Sequence, residues 1–532
     1  MSFKIGIDVG GTNTDAVLLD ERNNLLGAIK TPTTADVATG IFNAVDEVLR
    51  QGQVAPGEIQ FVMLGTTAMT NALVERKHLA RVGLVRIALP AASGVEPMFT
   101  WAEDLRQAVG GLCFEVRGGY EYDGTLIDTD LDKAEVDAVI ARLKAEAVES
   151  VAICGVFAPV RPDQEKRVAE WVRAALGPGV AVTLSHELGS IGLLDRENSA
   201  GLNAALVKVA RLAAEGLERA LRERGVHPRI LFAQNDGTLM DLDFVRRYPI
   251  LTIGSGPTNS IRGAAFLSGL SDCLVLDVGG TTTDVGVLTR GFPRQSGVAV
   301  EIGGVRTNFR MPDILSIGLG GGSIIRTQNG RTSIGPDSVG YRLVEKGIGF
   351  GGDTLTTTDV VVRAGRAQIN HPGFDPARLE GIPAETVAQS LQLIVELAEA
   401  AIDKMKTSQR DLPVVLVGGG TILLPDKLKG ASEVIRPLHY QYANAIGAAI
   451  AQVSGEVDRI WSLESVTRQQ AIAEAKAEAT RMAVRAGADP ETVAIVDLED
   501  VPLAYLPSNA LRIRAKAAGA LRQAEPIASV GD

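Results

Sequence analysis

Short apolar runs alternate with longer stretches of helical spacing along most of the chain. Ile5-Gly6-Ile7 and Ala16-Val17-Leu18-Leu19 flank a glycine pair, as do Cys273-Leu274-Val275-Leu276 and Val285-Gly286-Val287-Leu288. Apolar runs broken by Gly-Gly predict two strands joined by a tight turn, so residues 3–20 and the matching stretch near the middle of the chain are each expected to form a β-hairpin. Ala35–Gln51 places Ile41, Ala44, Val45, Val48 and Leu49 on one helical face. Helices are also predicted over Ala68–Arg76, Leu131–Ala147, Pro162–Leu176, Arg196–Arg224, 258–268, Thr357–Ala364, Ala384–Lys406 and Ala443–Gln452. Phe61–Leu64, Val151–Phe157, Val180–Leu184, Ile230–Ala233 and Val414–Val417 read as buried strands. The stretch 91–130 is irregular, Gly-rich and acidic, and reads as an insertion.

Thr467 and Gln470 form a capping box for a helix ending at Gly487, with strands expected at 493–497 and 511–517. The alternation of strands and helices predicts an α/β fold. Its expected division is an N-terminal lobe over 1–190, a second lobe over 191–454 with a return helix at 443–452, and a small C-terminal α+β element over 455–532.

The two hairpins carry one octapeptide twice. Asp8-Val9-Gly10-Gly11-Thr12-Asn13-Thr14-Asp15 and Asp277-Val278-Gly279-Gly280-Thr281-Thr282-Thr283-Asp284 agree at seven of eight positions. Glycines let backbone N–H groups converge on an anion, and threonine hydroxyls add hydrogen bonds to phosphate oxygens. A carboxylate beside such a loop repels phosphate but holds a hydrated Mg²⁺ that bridges phosphates. Two facing hairpins would clamp a triphosphate from both sides. A dinucleotide-binding Rossmann unit is excluded, because it needs G-x-G-x-x-G opening a helix and here a second strand follows the glycines.

Composition narrows the function classes. The formal charge of −11 over 532 residues argues against a nucleic-acid or anionic-membrane partner. Cys113, Cys154 and Cys273 show no zinc or redox spacing, which favours a reduced, cytoplasmic setting. The chain enters a strand within three residues, without a secretory signal, and no apolar run reaches the length of a membrane span.

Two Asp-flanked hairpins, followed by a strand running into Gly418-Gly419-Gly420, resemble the actin/Hsp70/sugar-kinase ATPase superfamily. Adding Gly65-Thr66-Thr67-Ala68-Met69-Thr70-Asn71-Ala72-Leu73-Val74-Glu75-Arg76-Lys77, Ser185-His186-Glu187 and Gly320-Gly321-Gly322-Ser323, the chain resembles the hydantoinase A/5-oxoprolinase family from residue 3 to about 450. Its end, through Leu498–Pro507, resembles a short-chain branch of that family. The resemblance implies a duplicated actin-like ATPase (ribonuclease H-like) fold, with two lobes around a nucleotide cleft. It implies ATP and Mg²⁺ as cofactors, a cyclic amide such as a hydantoin or 5-oxoproline as substrate, and a second hydrolase subunit of hydantoinase B or another type. A homo-oligomer is also compatible.

On that reading the nucleotide is held by Gly10, Gly11, Thr12, Asn13, Thr14, Gly279, Gly280, Thr281 and Thr282, with Gly320, Gly321, Gly322, Gly418, Gly419 and Gly420 closing around it. Asp8 and Asp277 are expected to bind magnesium-held water. Asp15 and Asp284 either orient the loops and water or serve structure alone. Thr66, Thr67 and Asn71 open a helix and either meet substrate or only cap that helix. His186 and Glu187 stand at a strand end as acid/base candidates, against the alternative of an ordinary core or surface position. Asn235 and Asp236 read as turn formers. Two other functions fit the same fold: a small-molecule kinase that releases a phosphorylated product, and a non-catalytic ATP-driven switch.

Overall fold

The computed structural model describes residues 3–10, 13–32, 37–189, 191–296, 300–309, 311–464, 466–504 and 509–522. Strands β1 (Phe3–Val9), β2 (Asn13–Leu19) and β3 (Leu25–Pro32) form an antiparallel meander covered by helix α1 (Val37–Gly52). β4 (Ile59–Thr66) returns parallel to β1, and α2 (Ala68–Glu75) leaves its end. The chain then builds a separate parallel sheet. Its strands β5 (Val82–Leu89), β6 (Leu112–Arg117), β7 (Ser150–Gly155) and β8 (Ala181–Leu184) lie in the order β6-β5-β7-β8, connected through α3 (Glu103–Val109), α4 (Lys133–Ala145) and α5 (Asp163–Leu176). The stretch expected to be irregular over 91–130 thus contains α3 and β6.

Helix α6 (Leu193–Arg222), 30 residues long, carries the chain back to the first sheet. There β9 (Arg229–Ala233) pairs parallel with β4, and β10 (Thr238–Asp241) follows before α7 (Leu242–Arg247). Helix α8 (Ser255–Ser268) crosses to a second sheet with the same opening as the first. β11 (Cys273–Val278) and β12 (Thr283–Thr289) form its hairpin, and the short β13 (Phe292–Pro293) extends it. The hairpin β14 (Val300–Ile302)–β15 (Val305–Thr307), the strand β16 (Ile314–Ile317) and the hairpin β17 (Ser323–Gln328)–β18 (Arg331–Ser338) come next. Helices α9 (Leu343–Lys346), α10 (Thr357–Arg363) and α11 (Ala384–Met405) precede β19 (Leu412–Val417), which lies parallel to β11, and β20 (Ala431–Ile435).

Helix α12 (Ala443–Ala449) crosses back, and β21 (Gln452–Ser462), α13 (Arg468–Arg485), β22 (Ala494–Pro502) and β23 (Ala510–Gly519) complete the chain's described elements. β21 pairs parallel with β10, so the first sheet has nine strands in the order β22-β23-β21-β10-β9-β4-β1-β2-β3. This corrects the expected division twice. β9 and β10 lie beyond residue 190 and belong to the first sheet, and the segment from 455 is its continuation, not an appendage. The physical reason is local: Ala471, Ala475, Ala479 and Ala483 recur every four residues along α13, and this small face packs on the buried side of β21 and β23. Thr467 and Gln470 make the expected capping box at the start of that helix.

The two crossing helices join the sheets. α12 packs on β1 and β4, while α8 packs on β11, β12 and β19. They meet at glycines: a Cβ on Gly263 would overlap the Ala443 carbonyl, and one on Gly447 would overlap the Asn259 carbonyl. The small-residue faces expected to pack closely at 258–268 and 443–452 do so.

Candidate active site

The two octapeptides fold alike. Asp8 lies opposite Asp15 across β1–β2, and Asp277 opposite Asp284 across β11–β12. Gly10 N–H donates to the Asn13 carbonyl at 2.9 Å, and Gly279 N–H donates to the Thr282 carbonyl at 2.9 Å. Gly11 and Thr12 lie outside the described residues. Each hairpin also has a parallel neighbour with a glycine near its end beside the leading aspartate, Gly65 in β4 and Gly418 just after β19. A Cβ on Gly65 would strike Asp8 Oδ1, and one on Gly418 would strike Asp277 Oδ1.

In the second lobe three glycine loops converge. Gly321 N–H donates to the Gly279 carbonyl at 3.0 Å and Gly322 N–H to the Gly280 carbonyl at 2.7 Å. A Cβ on Gly320 would sit 2.6 Å from the Thr281 backbone, and one on Gly420 2.7 Å from the Gly279 carbonyl oxygen. Thr357 and Thr358, at the start of α10, donate to the Gly321 carbonyl at 2.9 and 2.7 Å and so pin the middle loop. Gly279, Gly280, Thr281, Thr282 and Gly419 keep open surface at this junction. In the first lobe Thr67 donates through both N–H and Oγ1 to the Val9 carbonyl, at 3.3 and 3.2 Å. Asn71 Nδ2 lies 3.4 Å from Thr67 Oγ1, so Thr66, Thr67 and Asn71 adjoin the first hairpin. Thr67, at the N-cap position of α2, makes no side-chain cap bond, but Thr66 Oγ1 accepts the Ala68 N–H at 3.1 Å at the start of that helix, in keeping with the capping alternative.

The four aspartates interact across the lobes. Burial, then repulsion by Asp15 and by Asp277, pushes the Asp8 carboxyl up to about 6. Burial, with Asp277 nearby, pushes Asp284 up to about 6 as well, against a hydrogen bond from Ser316. Burial also raises Asp15 and Asp277, opposed by Lys30, which is ion-paired to Asp15. Asn444 Nδ2 of α12 donates to Asp8 Oδ2 at 3.3 Å, and Ser260 Oγ of α8 lies 2.5 Å from Asp277 Oδ2. Ser260 and Asn444 also touch each other. Asn259 is fully buried with both amide atoms unpartnered, and its Nδ2 flanks the same Gly65 notch as Asp8.

These observations fit a hydrated hard cation. The donor set is carboxylate oxygen, which suits Mg²⁺. Buried carboxylates held near 6 gain most from a positive charge, and glycine notches leave room beside Asp8 and Asp277. Among the described residues no cluster of three or more His, Cys, Asp and Glu side chains converges tightly enough to chelate a bare metal. Magnesium, which keeps several waters, needs only one or two carboxylates.

His186 and Glu187 are not brought to this cluster. His186 Nδ1 is 2.5 Å from Glu165 Oε2, whose other oxygen meets Ser185 Oγ and the Gly155 N–H at 2.5 and 2.8 Å. That network ties the ends of β7 and β8 to Arg196 at the start of α6. Glu187 is held by Arg247 and by Tyr248 Oη, the latter at 2.7 Å. Asp236 is a turn former as expected, and it also pairs with Lys516 at 2.5 Å.

Sequence reasoning missed Asn259, Ser260, Asn444, Lys30, Ser316 and the Thr357–Thr358 pair. A signal for the first three was present: they are polar residues set inside otherwise small, apolar helix faces.

Comparison with known proteins accords with this arrangement. Residues 4–176 match the hydantoinase/oxoprolinase N-terminal region, and residues 196–372 match the hydantoinase/oxoprolinase domain. Over 394 residues the chain is 27% identical to caprolactamase subunit alpha of Pseudomonas jessenii, covering 68% of this chain and 54% of that one. Over 438 residues it is 28% identical to the acetophenone carboxylase gamma subunit of Aromatoleum aromaticum, covering 75% and 58%. It therefore spans somewhat over half the length of these relatives. The crystal structure of ATP-dependent caprolactamase from Pseudomonas jessenii superposes with a TM-score of 0.78 at 20% identity, over 99% of this chain and 90% of that one. The nucleotide-free structure of acetone carboxylase gives 0.68 at 19%, over 98% and 88%. The fold is the expected duplicated actin-like ATPase fold, and no helix among the described residues is long and apolar enough to cross a membrane. With family matches over well more than half its length, on a fold whose two hairpins and glycine loops meet as described, the chain belongs to the hydantoinase/oxoprolinase family.

Proposed function

We propose that this protein uses ATP and Mg²⁺ to activate the carbonyl of a cyclic amide, a hydantoin, 5-oxoproline or related lactam, for ring opening. The observation that carries the reading is the pair of Asp-flanked hairpins in one register, facing each other through Asp8 and Asp277. An amide carbonyl resists water because its nitrogen donates into it. Transfer of the γ-phosphoryl group to the amide oxygen, with ADP leaving, removes that resistance. One water then adds to the ring carbon and the ring C–N bond breaks. A second water releases phosphate from the acyl phosphate, so the sum is ADP, phosphate and the ring-opened acid.

Such a transfer asks the protein mainly to position groups and to stabilise charge. The tips of the two hairpins hold the phosphates, with Gly280, Thr281 and Thr282 open to them in the second, while Gly320–Gly322 and Gly418–Gly420 close the second-lobe side. Bound Mg²⁺ would be held through water by Asp8 and Asp277 and would neutralise phosphate charge. Asp15 and Asp284 orient the loops and that water. Thr66, Thr67 and Asn71, which adjoin the first hairpin, are the proposed contacts for the carbonyl substrate.

The relatives named as subunits support a companion subunit that completes the hydrolysis. The acetophenone carboxylase gamma subunit supports a second reading, in which the carbonyl belongs to a ketone and its oxygen is phosphorylated ahead of carboxylation. Incubation with ATP, Mg²⁺ and a panel of lactams, hydantoins and ketones tests both. ADP formed in step with ring-opened acid supports the first reading, and ADP formation that depends on ketone and bicarbonate supports the second. A stable phosphorylated product points to a kinase, and turnover indifferent to every carbonyl compound overturns the proposal.

A further inference from the structure

We infer that Asn444 and Ser260 are positioning residues that set the two leading aspartates, one from each lobe, in a common geometry for a shared cation. The inference rests on the proposed nucleotide site and concerns residues outside the two octapeptides. Asp8 and Asp277 lie at the ends of strands in different sheets, and among the described residues no backbone hydrogen bond joins those sheets at this point. The link is made by side chains of the crossing helices. Asn444 reaches from α12 to Asp8 Oδ2 at 3.3 Å, Ser260 reaches from α8 to Asp277 Oδ2 at 2.5 Å, and Asn444 and Ser260 touch. The crossing is rigid where these residues leave it. Each is next in sequence to a residue clamped against a glycine of the other helix: Asn259 against Gly447, and Ala443 against Gly263.

A donor count shows why the relay points to a cation. Asn444 Oδ1 and Asp277 Oδ2 both face one Ser260 hydroxyl, which carries a single proton. Asp8 receives one N–H from the same amide, and Asp15 Oδ1 is buried without a partner. Lys30 supplies Asp15 and Ser316 supplies Asp284, but around Asp8 and Asp277 acceptor oxygens outnumber the protons of Asn444 and Ser260, and the buried Asn259 amide bonds to neither aspartate. A hydrated cation supplies the missing donors through its waters. Side chains that orient metal-binding carboxylates in this way typically change metal affinity by about 10- to 100-fold when removed.

The test uses the full chain, with Mn²⁺ as a spectroscopic probe and ADP as the nucleotide. Mn²⁺ binding is followed by electron paramagnetic resonance in the presence of ADP, and ADP binding is measured separately in EDTA. Asn444→Ala is expected to weaken Mn²⁺ at least about tenfold, with metal-free ADP binding within about twofold of the parent. Ser260→Ala, smaller than the native residue and so tolerated by the packing, is expected to behave alike. Asn444→Gln, which keeps the amide, is expected to restore part of the affinity. Unchanged Mn²⁺ affinity in a folded Asn444→Ala and Ser260→Ala, with a loss of thermal stability alone, overturns the relay and leaves the nucleotide site standing. Failure of the parent protein to bind Mn²⁺ with ADP overturns the reading of the site, and the relay with it.

Discussion

Gly263 of α8 lies so close to the Ala443 carbonyl of α12 that its missing Cβ is a condition of the fold. The obstacle is main chain, which cannot swing aside as a flexible side chain would. The same holds at Gly447, whose neighbour is the Asn259 carbonyl. Gly263→Ala and Gly447→Ala are each expected to cost about 3 kcal/mol in denaturant unfolding, at the upper end for overpacking. Gly269, at the far end of α8 with open space around it, needs its glycine only for a φ of +70°. Gly269→Ala should cost about 1 kcal/mol. A smaller loss at Gly263 than at Gly269 would remove the helix crossing as the joint between the lobes.

Asp8 illustrates how function opposes stability. Its carboxyl is buried, faces Asp15 and Asp277, and is held at about 6. Asp8→Asn keeps the shape and the Asn444 contact region while removing the charge. Without metal at pH 7.5 the variant is expected to unfold later than the parent, by on the order of 2 kcal/mol. Carbonyl-dependent ATP turnover is expected to fall by at least about a hundredfold, as for loss of one transition-state electrostatic contact. Differential scanning calorimetry and an ADP-release assay check the two halves independently.

The pH dependence of the metal-free protein follows from the same groups. Folded Asp8 and Asp284 hold protons to about 6, whereas an unfolded aspartate releases its proton near its ordinary value of 3.8. Between these values the folded state binds more protons, so stability falls as pH rises and levels off above about 6. Calorimetric scans in EDTA should therefore show this pair's contribution present near pH 4 and lost by pH 7. Mg²⁺ with ADP should raise the unfolding temperature more at pH 7.5 than at pH 5, because the carboxylates are then charged and ready to hold a cation. Equal shifts at both pH values would argue that the quartet does not face the metal.

The hairpins were legible because glycine pairs, flanking apolar runs and repeated aspartates are local signals, and the register of Asp8 on Asp15 follows from turn length alone. The glycine loops at Gly320 and Gly418 were legible for the same reason. The sheet beyond β4 was not. β21 joins β10 across more than two hundred residues, and nothing in either strand names its partner. His186 and Glu187 stood out as rare polar residues at a strand end, yet their partners Glu165, Arg247 and Tyr248 come from other elements. Asn444 and Ser260 hid inside small-residue faces whose periodicity speaks of packing, and only the helix crossing turns them toward the aspartates.

The pair Lys516–Asp236 joins the end of the chain to its middle and yields a test of that unexpected sheet. Lys516 on β23 lies 2.5 Å from Asp236 in the turn between β9 and β10, and both side chains are nearly buried. Burial alone would raise the Asp236 carboxyl, but Lys516 and Thr238 more than offset it and leave it below the usual value. Lys516→Met removes the counter-charge and strands a buried carboxylate, at an expected cost of about 3 kcal/mol at pH 7. Without the lysine, burial prevails and the carboxyl titrates above its unfolded value. The variant's stability should then rise as pH falls toward 4, where Asp236 takes up a proton. In the parent the depressed carboxyl works in the opposite sense, its contribution being present above pH 4 and lost below. The gap between parent and variant is thus expected to be largest near pH 7 and to narrow in acid. Adding Asp236→Asn to Lys516→Met should recover much of the loss at pH 7, because no buried charge remains. Chemical denaturation of the three proteins at pH 4.5 and pH 7 decides the matter, and a pH-independent gap would mean that Asp236 is not enclosed by the C-terminal strands.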